Sequence, residues 1–358
     1  MTHHLSIQPS HPTDWIILGA GISGLVVGSL LLEQGQSVQL LEKARGVGGR
    51  LATRRTPLSP EPSRVAHFDH GLPLVELHHP ETIQILAKLL GGTIPESWQW
   101  PYAGEWRGTA LSILRPLPGM SALPKALTAS EQVKKNQKVS QISYDPSTRL
   151  WLASTQEQQT FAARGIISTL PIPQLLEILE RSHLELDDSL PSQLIQAEYY
   201  PALSVMMIPK DPSQIQLLRR SSAPIALAIE NQWKGISEDV PCLTLTLNPE
   251  LSQQLLQESD EVILERVMRE CKPWLKTPPS QYQIHRWRYA QPKTPINESF
   301  IKLKMKKQLN SSPLYLCGDY FGALDMSSLE RAILSSRALF NSIQSELDTA
   351  QCTESKEV

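Results

Sequence analysis

The chain has 358 residues, of which 41% are hydrophobic and 20% charged, with a formal net charge of −2. At roughly 150 residues per domain this suggests about two domains, each long enough to bury a core without staples. The near-neutral balance excludes a global field for nucleic acid or anionic membrane, and the longest apolar stretch, 25–32, broken by Gly28 and Ser29, is too short to span a bilayer.

Residues 1–13 are polar, hold three histidines and lack an apolar stretch, so a flexible tail is expected there and not a secretory leader. Trp15-Ile16-Ile17-Leu18 reads as a buried strand over 14–18. A helix is expected over 22–34, ending at Gly35, and a second strand over 37–41. These three form a parallel βαβ unit. Residues 45–55 are a loop rich in glycine and arginine, and 81–90 read as a helix stopped by Gly91-Gly92. Trp98, Trp100 and Tyr102 alternate as on one face of a strand, and with Trp106 they serve as core or as pocket wall.

Further along, 111–117 suit a strand and 121–128 a short helix. A hairpin is expected from 138–144 and 151–154 across Asp145-Pro146-Ser147, followed by a buried strand at 165–168 and a helix at 174–180. The stretch 199–289 mixes strands at 203–208, 225–229 and 242–247 with a helix at 259–272. A late strand at 314–317 precedes an amphipathic helix at 327–344, and the polar residues after Asp348 suggest a disordered end. Cys242, Cys271, Cys317 and Cys352 are too far apart for a CxxC motif. A reduced, cytoplasmic protein without a metal site is therefore expected.

Gly19-Ala20-Gly21-Ile22-Ser23-Gly24 is a GxGxxG that follows a strand and opens a helix, and the acidic Glu42 ends the next strand. In that context the glycines make a nucleotide site. Gly19 permits the tight turn, Gly21 admits a pyrophosphate close to the backbone, and Gly24 lets the helix pack on the sheet. The helix N-terminus offers N–H groups and partial positive charge to the phosphates. Glu42 suits ribose hydroxyls and opposes a 2′-phosphate, which disfavours NADP despite Lys43 and Arg45. Arg45-Gly46-Val47-Gly48-Gly49-Arg50 with Thr53 resembles the second fingerprint of amine-oxidase-type flavoproteins, in which Arg50 pairs with the pyrophosphate. Gly318-Asp319 after an apolar strand, then Ser327-Ser328-Leu329, form the far end of such a site. Asp319 is expected on the ribityl side, and the helix dipole at the flavin pyrimidine.

Together the runs 19–24, 42–55, Phe68-Asp69-His70-Gly71, 118–124, His285-Arg286-Trp287-Arg288-Tyr289-Ala290 and Cys317-Gly318-Asp319 resemble the renalase-like family of flavoproteins from about residue 14 to 345. The resemblance implies an α/β fold, a Rossmann-type FAD-binding domain with an inserted antiparallel-sheet substrate domain of the hydroxybenzoate-hydroxylase or amine-oxidase kind. It places the FAD domain in 14–71, 111–172 and 290–345, the substrate domain in 72–110 and 173–289, and tails at 1–13 and 346–358. It also implies a hydride taken from a small-molecule donor such as isomeric dihydro-NAD(P), and molecular oxygen as acceptor giving hydrogen peroxide; Cys317 lacks the sequence context of covalent flavin attachment in monoamine oxidases, so the FAD is expected to be non-covalent. The expected cofactor contacts are Gly19, Ala20, Gly21, Ser23, Gly24, Glu42, Lys43, Gly49, Arg50, Val139, Gly318, Asp319, Ser328 and Leu329.

The sequence departs from the family where Leu72-Pro73-Leu74-Val75 replaces Ala-Gln-Tyr-Phe, and it lacks a Ser-Lys-Pro-Gly-Arg-like segment near 226–235. Both departures fall on the substrate side. Hydride transfer needs geometry more than acid and base, so no catalytic triad is expected. His70, His285 and Trp287 are the catalytic candidates; His70 is equally well read as a turn histidine, and Trp287 and Tyr289, which alternate as on a strand, as ordinary core or as a wall for the flavin or substrate. An amine oxidase or desaturase, a flavin-binding assembly protein without turnover, and an NAD-linked dehydrogenase remain alternatives.

Overall fold

The computed structural model describes residues 12–99, 112–184, 191–211, 213–220, 222–304 and 313–354. In chain order the elements begin with β1 (Thr13–Leu18), α1 (Ile22–Glu33), β2 (Val38–Glu42), β3 (Thr53–Pro57), β4 (Val65–Asp69), β5 (Val75–Leu77) and α2 (Pro80–Leu89). They continue with β6 (Ser112–Leu114), α3 (Ala122–Ala126), β7 (Val133–Lys135), β8 (Val139–Asp145), β9 (Leu150–Thr155), β10 (Thr160–Ser168), α4 (Ile172–Ser182) and α5 (Ser192–Ile195). The last third carries β11 (Tyr199–Ile208), β12 (Leu217–Arg219), β13 (Ile225–Glu230), β14 (Leu243–Leu247), α6 (Pro249–Leu255), α7 (Asp260–Cys271), β15 (Gln281–Pro292), β16 (Ile301–Leu303), β17 (Leu314–Leu316) and α8 (Ser328–Glu354).

Two sheets organise these elements. The first runs β16-β17-β10-β1-β2-β7, with the β8–β9 hairpin joined to β10. Its centre is parallel, because β1 pairs β2 on one side and β10 on the other, and β10 pairs β17. Such a centre needs cover on both faces. One face is closed by Leu25, Val26, Leu30 and Leu31 of α1 with Ile333, Leu339 and Phe340 of α8. The other is closed by Trp151 of β9 and by Ile172, Leu175 and Ile178 of α4. The glycines of α1 allow the close approach: a Cβ on Gly24 would lie 2.1 Å from the Gly19 carbonyl oxygen, and one on Gly28 would lie 3.2 Å from Ile17.

The second sheet is antiparallel, in the order β12-β13-β14-β11-β15. Alternation along β11 and β14 sends Leu203, Val205, Met207, Leu243, Leu245 and Leu247 to one face. There they pack on Ile263, Val267 and Cys271 of α7. The opposite face carries the next residues of each strand and looks toward β3 and β4. Two small ribbons remain, β3–β4 and β5–β6; Ala66 and Phe68 of β4 pack on Met206 and Ile208 of β11, and Val75, Leu77 and Leu114 of β5–β6 join the core of the first sheet.

Two expectations need correction. Trp98 lies in a 3-10 turn, Glu96–Trp98, because only Gln99 bridges the neighbouring strand, at Leu114. Trp100, Tyr102 and Trp106 lie outside the described residues. The last helix does not stop at 344: α8 continues to Glu354 through the region expected to be disordered, since 345–354 hold neither glycine nor proline to break it.

Candidate active site

The C-terminal ends of the parallel strands are where an open α/β sheet binds its ligand. Here β1 ends at Gly19, whose φ of +97° makes the turn into α1. Gly21 is the N-cap of α1 and has no side chain to cap it, so the first N–H groups of the helix keep no side-chain partner. A second glycine loop lies against the first, with Gly48 N donating to Ala20 O at 2.8 Å and Gly21 bridging Gly48. A Cβ on Gly21 would meet nothing within 4 Å, and one on Gly49 only the Gly21 Cα at 3.7 Å. The two loops thus leave a strip of bare backbone at a helix N-terminus, the cradle a pyrophosphate needs.

Glu42 ends β2 at 8% exposure, accepting from Ala20 N at 2.9 Å and Ala44 N at 2.7 Å. Its carboxylate is thereby fixed at the mouth of the glycine turn, beside the segment that starts β8: Gln137 N donates to Glu42 O at 2.9 Å, and Val139 is buried close by. Ser23 is buried in the first turn of α1, where its carbonyl accepts from Ser336 Oγ at 3.0 Å. Lys43 points elsewhere. Its Nζ reaches Gln174 Oε1 of α4 at 3.1 Å, an exposed contact outside the cradle.

The two ends of the chain meet in one ion pair, Arg50 Nη1 to Asp319 Oδ2 at 2.8 Å. Sequence reasoning sent Arg50 to a pyrophosphate and Asp319 to the ribityl side. In the structure each answers the other's charge across the sheet ends, and Arg50 Nη1 also donates to Ala290 O. Gly318 N donates to Ser335 Oγ at 3.0 Å, and the buried Arg331 holds the Asp319 carbonyl from Nε at 2.7 Å. Ser328 and Leu329 open α8 beside this pair. The serine cap is Ser327, whose Oγ accepts from Glu330 N at 3.3 Å and donates to the Glu330 carboxylate at 3.0 Å. That carboxylate also accepts from His78 N and His79 N, tying α8 to the start of α2. Two glycine loops, a buried acid at the end of β2, and an Arg–Asp pair where the chain ends meet are a donor set that fits FAD.

His70, His285 and Trp287 come together from distant segments. The ring centroids of His70 and His285 are 5.0 Å apart, those of His70 and Trp287 5.4 Å, and those of His285 and Trp287 4.3 Å. Trp287 Nε1 donates to His70 O at 2.8 Å. The turn that carries His70 is pressed against the second glycine loop: Leu72 N donates to Arg50 O at 2.8 Å, and a Cβ on Gly71 would lie 2.1 Å from that oxygen. Gly71 is needed for this approach, which sets the cluster next to the cradle. His70 is 4% exposed and its Nδ1 has no partner. Burial, then His285 and the Arg54 charge, pull its pKa down to about 4, and burial with Arg54 lowers that of His285. Both rings are neutral near neutral pH.

Sequence reasoning missed what holds His70 in place. Lys234, fully buried between β13 and β14, donates to Asp69 Oδ2 and to Pro73 O, both at 2.5 Å. Asp69 Oδ1 accepts from Thr53 Oγ1 at 2.6 Å and from Met120 N at 2.9 Å. Burial pulls the Lys234 ammonium below its ordinary value, against the opposing pull of Asp69. One lysine thus grips both sides of the His70-Gly71-Leu72 turn. No local pattern marks it, because its role depends on which loop the second sheet brings to β4.

The family described as flavin containing amine oxidoreductase has a model that matches residues 94–338, and that of an NAD(P)-binding Rossmann-like domain matches residues 17–89. The putative L-amino-acid oxidase YobN of Bacillus subtilis (strain 168) is 36% identical over 78 residues, 22% of this chain and 16% of that protein. This chain therefore spans only a small part of that relative's length. Wild-type putrescine oxidase bound to putrescine superposes with a TM-score of 0.61 at 14% identity, over 94% of this chain and 100% of the other. A double mutant of the same enzyme also gives 0.61, over 93% and 99%. At such identity the likeness speaks for the fold.

Proposed function

The chain belongs to the flavin containing amine oxidoreductases, and on that premise we propose that it takes a hydride from a small-molecule donor held at His70, His285 and Trp287. It is an FAD-dependent oxidoreductase with the mixed α/β fold of the FAD amine oxidases. FAD held there would supply the two-electron acceptor for that hydride, with molecular oxygen as the final acceptor giving hydrogen peroxide. The observation that carries the reading is the convergence of the three candidate side chains beside the second glycine loop.

The residues themselves do positioning work. Main-chain groups of the two glycine loops and the helix N-terminus hold the diphosphate, and the fixed carboxylate of Glu42 takes the adenosine ribose. Trp287 and the two neutral imidazoles wall the donor and exclude water from it. The buried Nδ1 of His70 stands as a hydrogen-bonding atom for the donor. Lys234, through Asp69 and Pro73 O, keeps the His70 turn from drifting. Cys317 is fully buried, with Sγ 3.8 Å from Ser336 Oγ, and burial pushes its thiol up to about 12, which supports a non-covalently held flavin.

The runs 42–55 and 285–290, which resemble the renalase-like proteins, support isomeric dihydro-NAD(P) as the donor. Segments 14–71, 111–172 and 290–345 serve the cofactor, and 72–110 and 173–289 serve the donor. Among the described residues no helix is long and apolar enough to cross a membrane. The buried free Cys242, Cys271 and Cys317 support the cytoplasm as the working compartment.

The test is anaerobic mixing of the FAD-loaded chain with dihydronicotinamide isomers, putrescine and L-amino acids. The reading expects the dihydronicotinamides to bleach the flavin, and readmitted oxygen to restore it with release of peroxide. Bleaching by the amines alone moves the donor class to amines. Bleaching by none of them leaves a flavin-binding protein without turnover.

A further inference from the structure

The face of the second sheet beneath His70 is more polar than a wall needs to be. Cross-strand partners point to the same side of a sheet. Ser204 of β11 stands directly opposite Thr246 of β14 and directly opposite His285 of β15, so the three form one polar row. The flanking rows place Ala202 against Trp287, and Met206 against Thr244 and Gln283. The neighbours Leu203, Val205 and Leu245 go to the other face, under α7. Ser204 is fully buried with its Oγ unpartnered, the Thr246 Oγ1 is likewise unpartnered, and His70 Nδ1 above them is a third such atom. Buried polar atoms of native proteins almost always have partners, so three orphans in one neighbourhood await an external one.

The charge at this face is equally one-sided. Arg54 crosses from β3 to Gln283 Oε1 at 3.3 Å, on the same face of β15 as His285 and Trp287, and stays exposed at the rim. Its charge is felt by both histidines. The neighbouring carboxylate, Asp69, is consumed by Lys234, Thr53 and Met120 N. The site therefore offers a fixed cation, neutral rings and hydroxyls, with its acid already paired.

We propose that the donor site is built for an oxyanion-bearing donor, carboxylate or phosphate in class, with its anionic group at Arg54 and its acceptor atoms over Ser204, Thr246 and His70, and that it rejects protonated amines. The proposal rests on the reading of this cluster as the donor site. A cationic diamine would meet Arg54 with no acid to offset it, whereas a carboxylate or phosphate pairs with the guanidinium. The row of hydroxyls also sets the ring of a planar donor against Trp287.

Four probes of one shape separate the possibilities. Benzoate, phenyl phosphate, benzamide and benzylamine are titrated into the FAD-loaded chain near neutral pH, with the flavin absorption as readout. The anions are expected to saturate at lower concentration than benzamide, and benzylamine to leave the spectrum unchanged. Arg54→Gln is expected to weaken the anions by about tenfold or more, while Arg54→Lys keeps most of the affinity. The tighter of benzoate and phenyl phosphate names the source of the oxyanion. Tighter binding of benzylamine than of benzoate overturns the proposal. So does anion affinity unmoved by Arg54→Gln, or the failure of both anions to bind. If benzoate binds in the expected pattern while no donor bleaches the flavin, the redox reading fails and this one stands. If donors bleach it and Arg54→Gln changes nothing, the reverse holds.

Discussion

Replacing Lys234 by methionine leaves the Asp69 carboxylate buried without its cation. Both side chains of the pair are 0% exposed, so water cannot take the place of the ammonium. Asp69 keeps its bonds from Thr53 Oγ1 and Met120 N, which serve its other oxygen. Breaking a buried ion pair from one side costs about 3–5 kcal/mol. That is a large part of the roughly 5–15 kcal/mol by which a folded protein is stable. The assay is urea unfolding at a fixed excess of FAD, because bound cofactor adds to apparent stability. Adding Asp69→Asn to Lys234→Met is expected to recover much of the loss, since a neutral amide then replaces a stranded charge. A Lys234→Met protein within about 1 kcal/mol of the parent would refute the reasoning, as would a double variant no more stable than the single one.

Other outcomes follow from the same geometry. Gly21→Val places its side chain in open space, so the fold is expected to survive while FAD content after purification falls to near zero; Gly24→Ala, driven against the Gly19 carbonyl at 2.1 Å, is expected to lose stability instead, and thermal melts with flavin counts separate the two. His70 is held at about 4 in the folded chain against an ordinary 6.5, so the unfolded chain binds the extra proton first as pH falls. Stability is therefore full above the ordinary value and declines as pH drops toward 4, by about 2 kcal/mol between pH 7 and 5. His70→Gln should flatten that part of the urea-stability profile. Trp287→Phe removes the donor to His70 O while keeping a ring, and is expected to slow flavin reduction about tenfold or less with FAD content unchanged. A Trp287→Phe protein that loses its flavin would assign Trp287 to the cofactor.

Much of the first sheet was legible because its cues are local. The apolar run 15–18, the glycines that follow and the acid at 42 each need only their neighbours. The β3–β4 ribbon was not legible, because Arg54 and Arg55 are exposed and break the alternation that marks a half-buried strand. β15 was legible only as the alternation of Trp287 and Tyr289 on a strand; its length and its pairing with β11 were not. Its His285, Trp287 face looks to the site, while Arg286 on the other face donates to Leu256 O and Glu258 O beyond α6. Polar residues therefore occupy both faces of one strand. The helical end at Glu354 was hidden because a polar run without glycine or proline can be read as a helix or as a disordered tail. In the site, the residue types of His70, His285 and Trp287 were visible but not their convergence. The Arg50–Asp319 pair, Lys234 and the Thr246–Ser204–His285 row depend on partners more than thirty residues away in sequence, which no local spacing encodes.

The central claim is that the two glycine loops hold FAD for redox work. It is tested most directly by the visible spectrum of the purified chain before and after denaturation. The account predicts a flavin spectrum with one cofactor per chain, released unmodified as FAD when the protein is unfolded. A colourless protein that also takes up no added FAD would contradict it, and would leave the glycine fingerprint to a nicotinamide nucleotide.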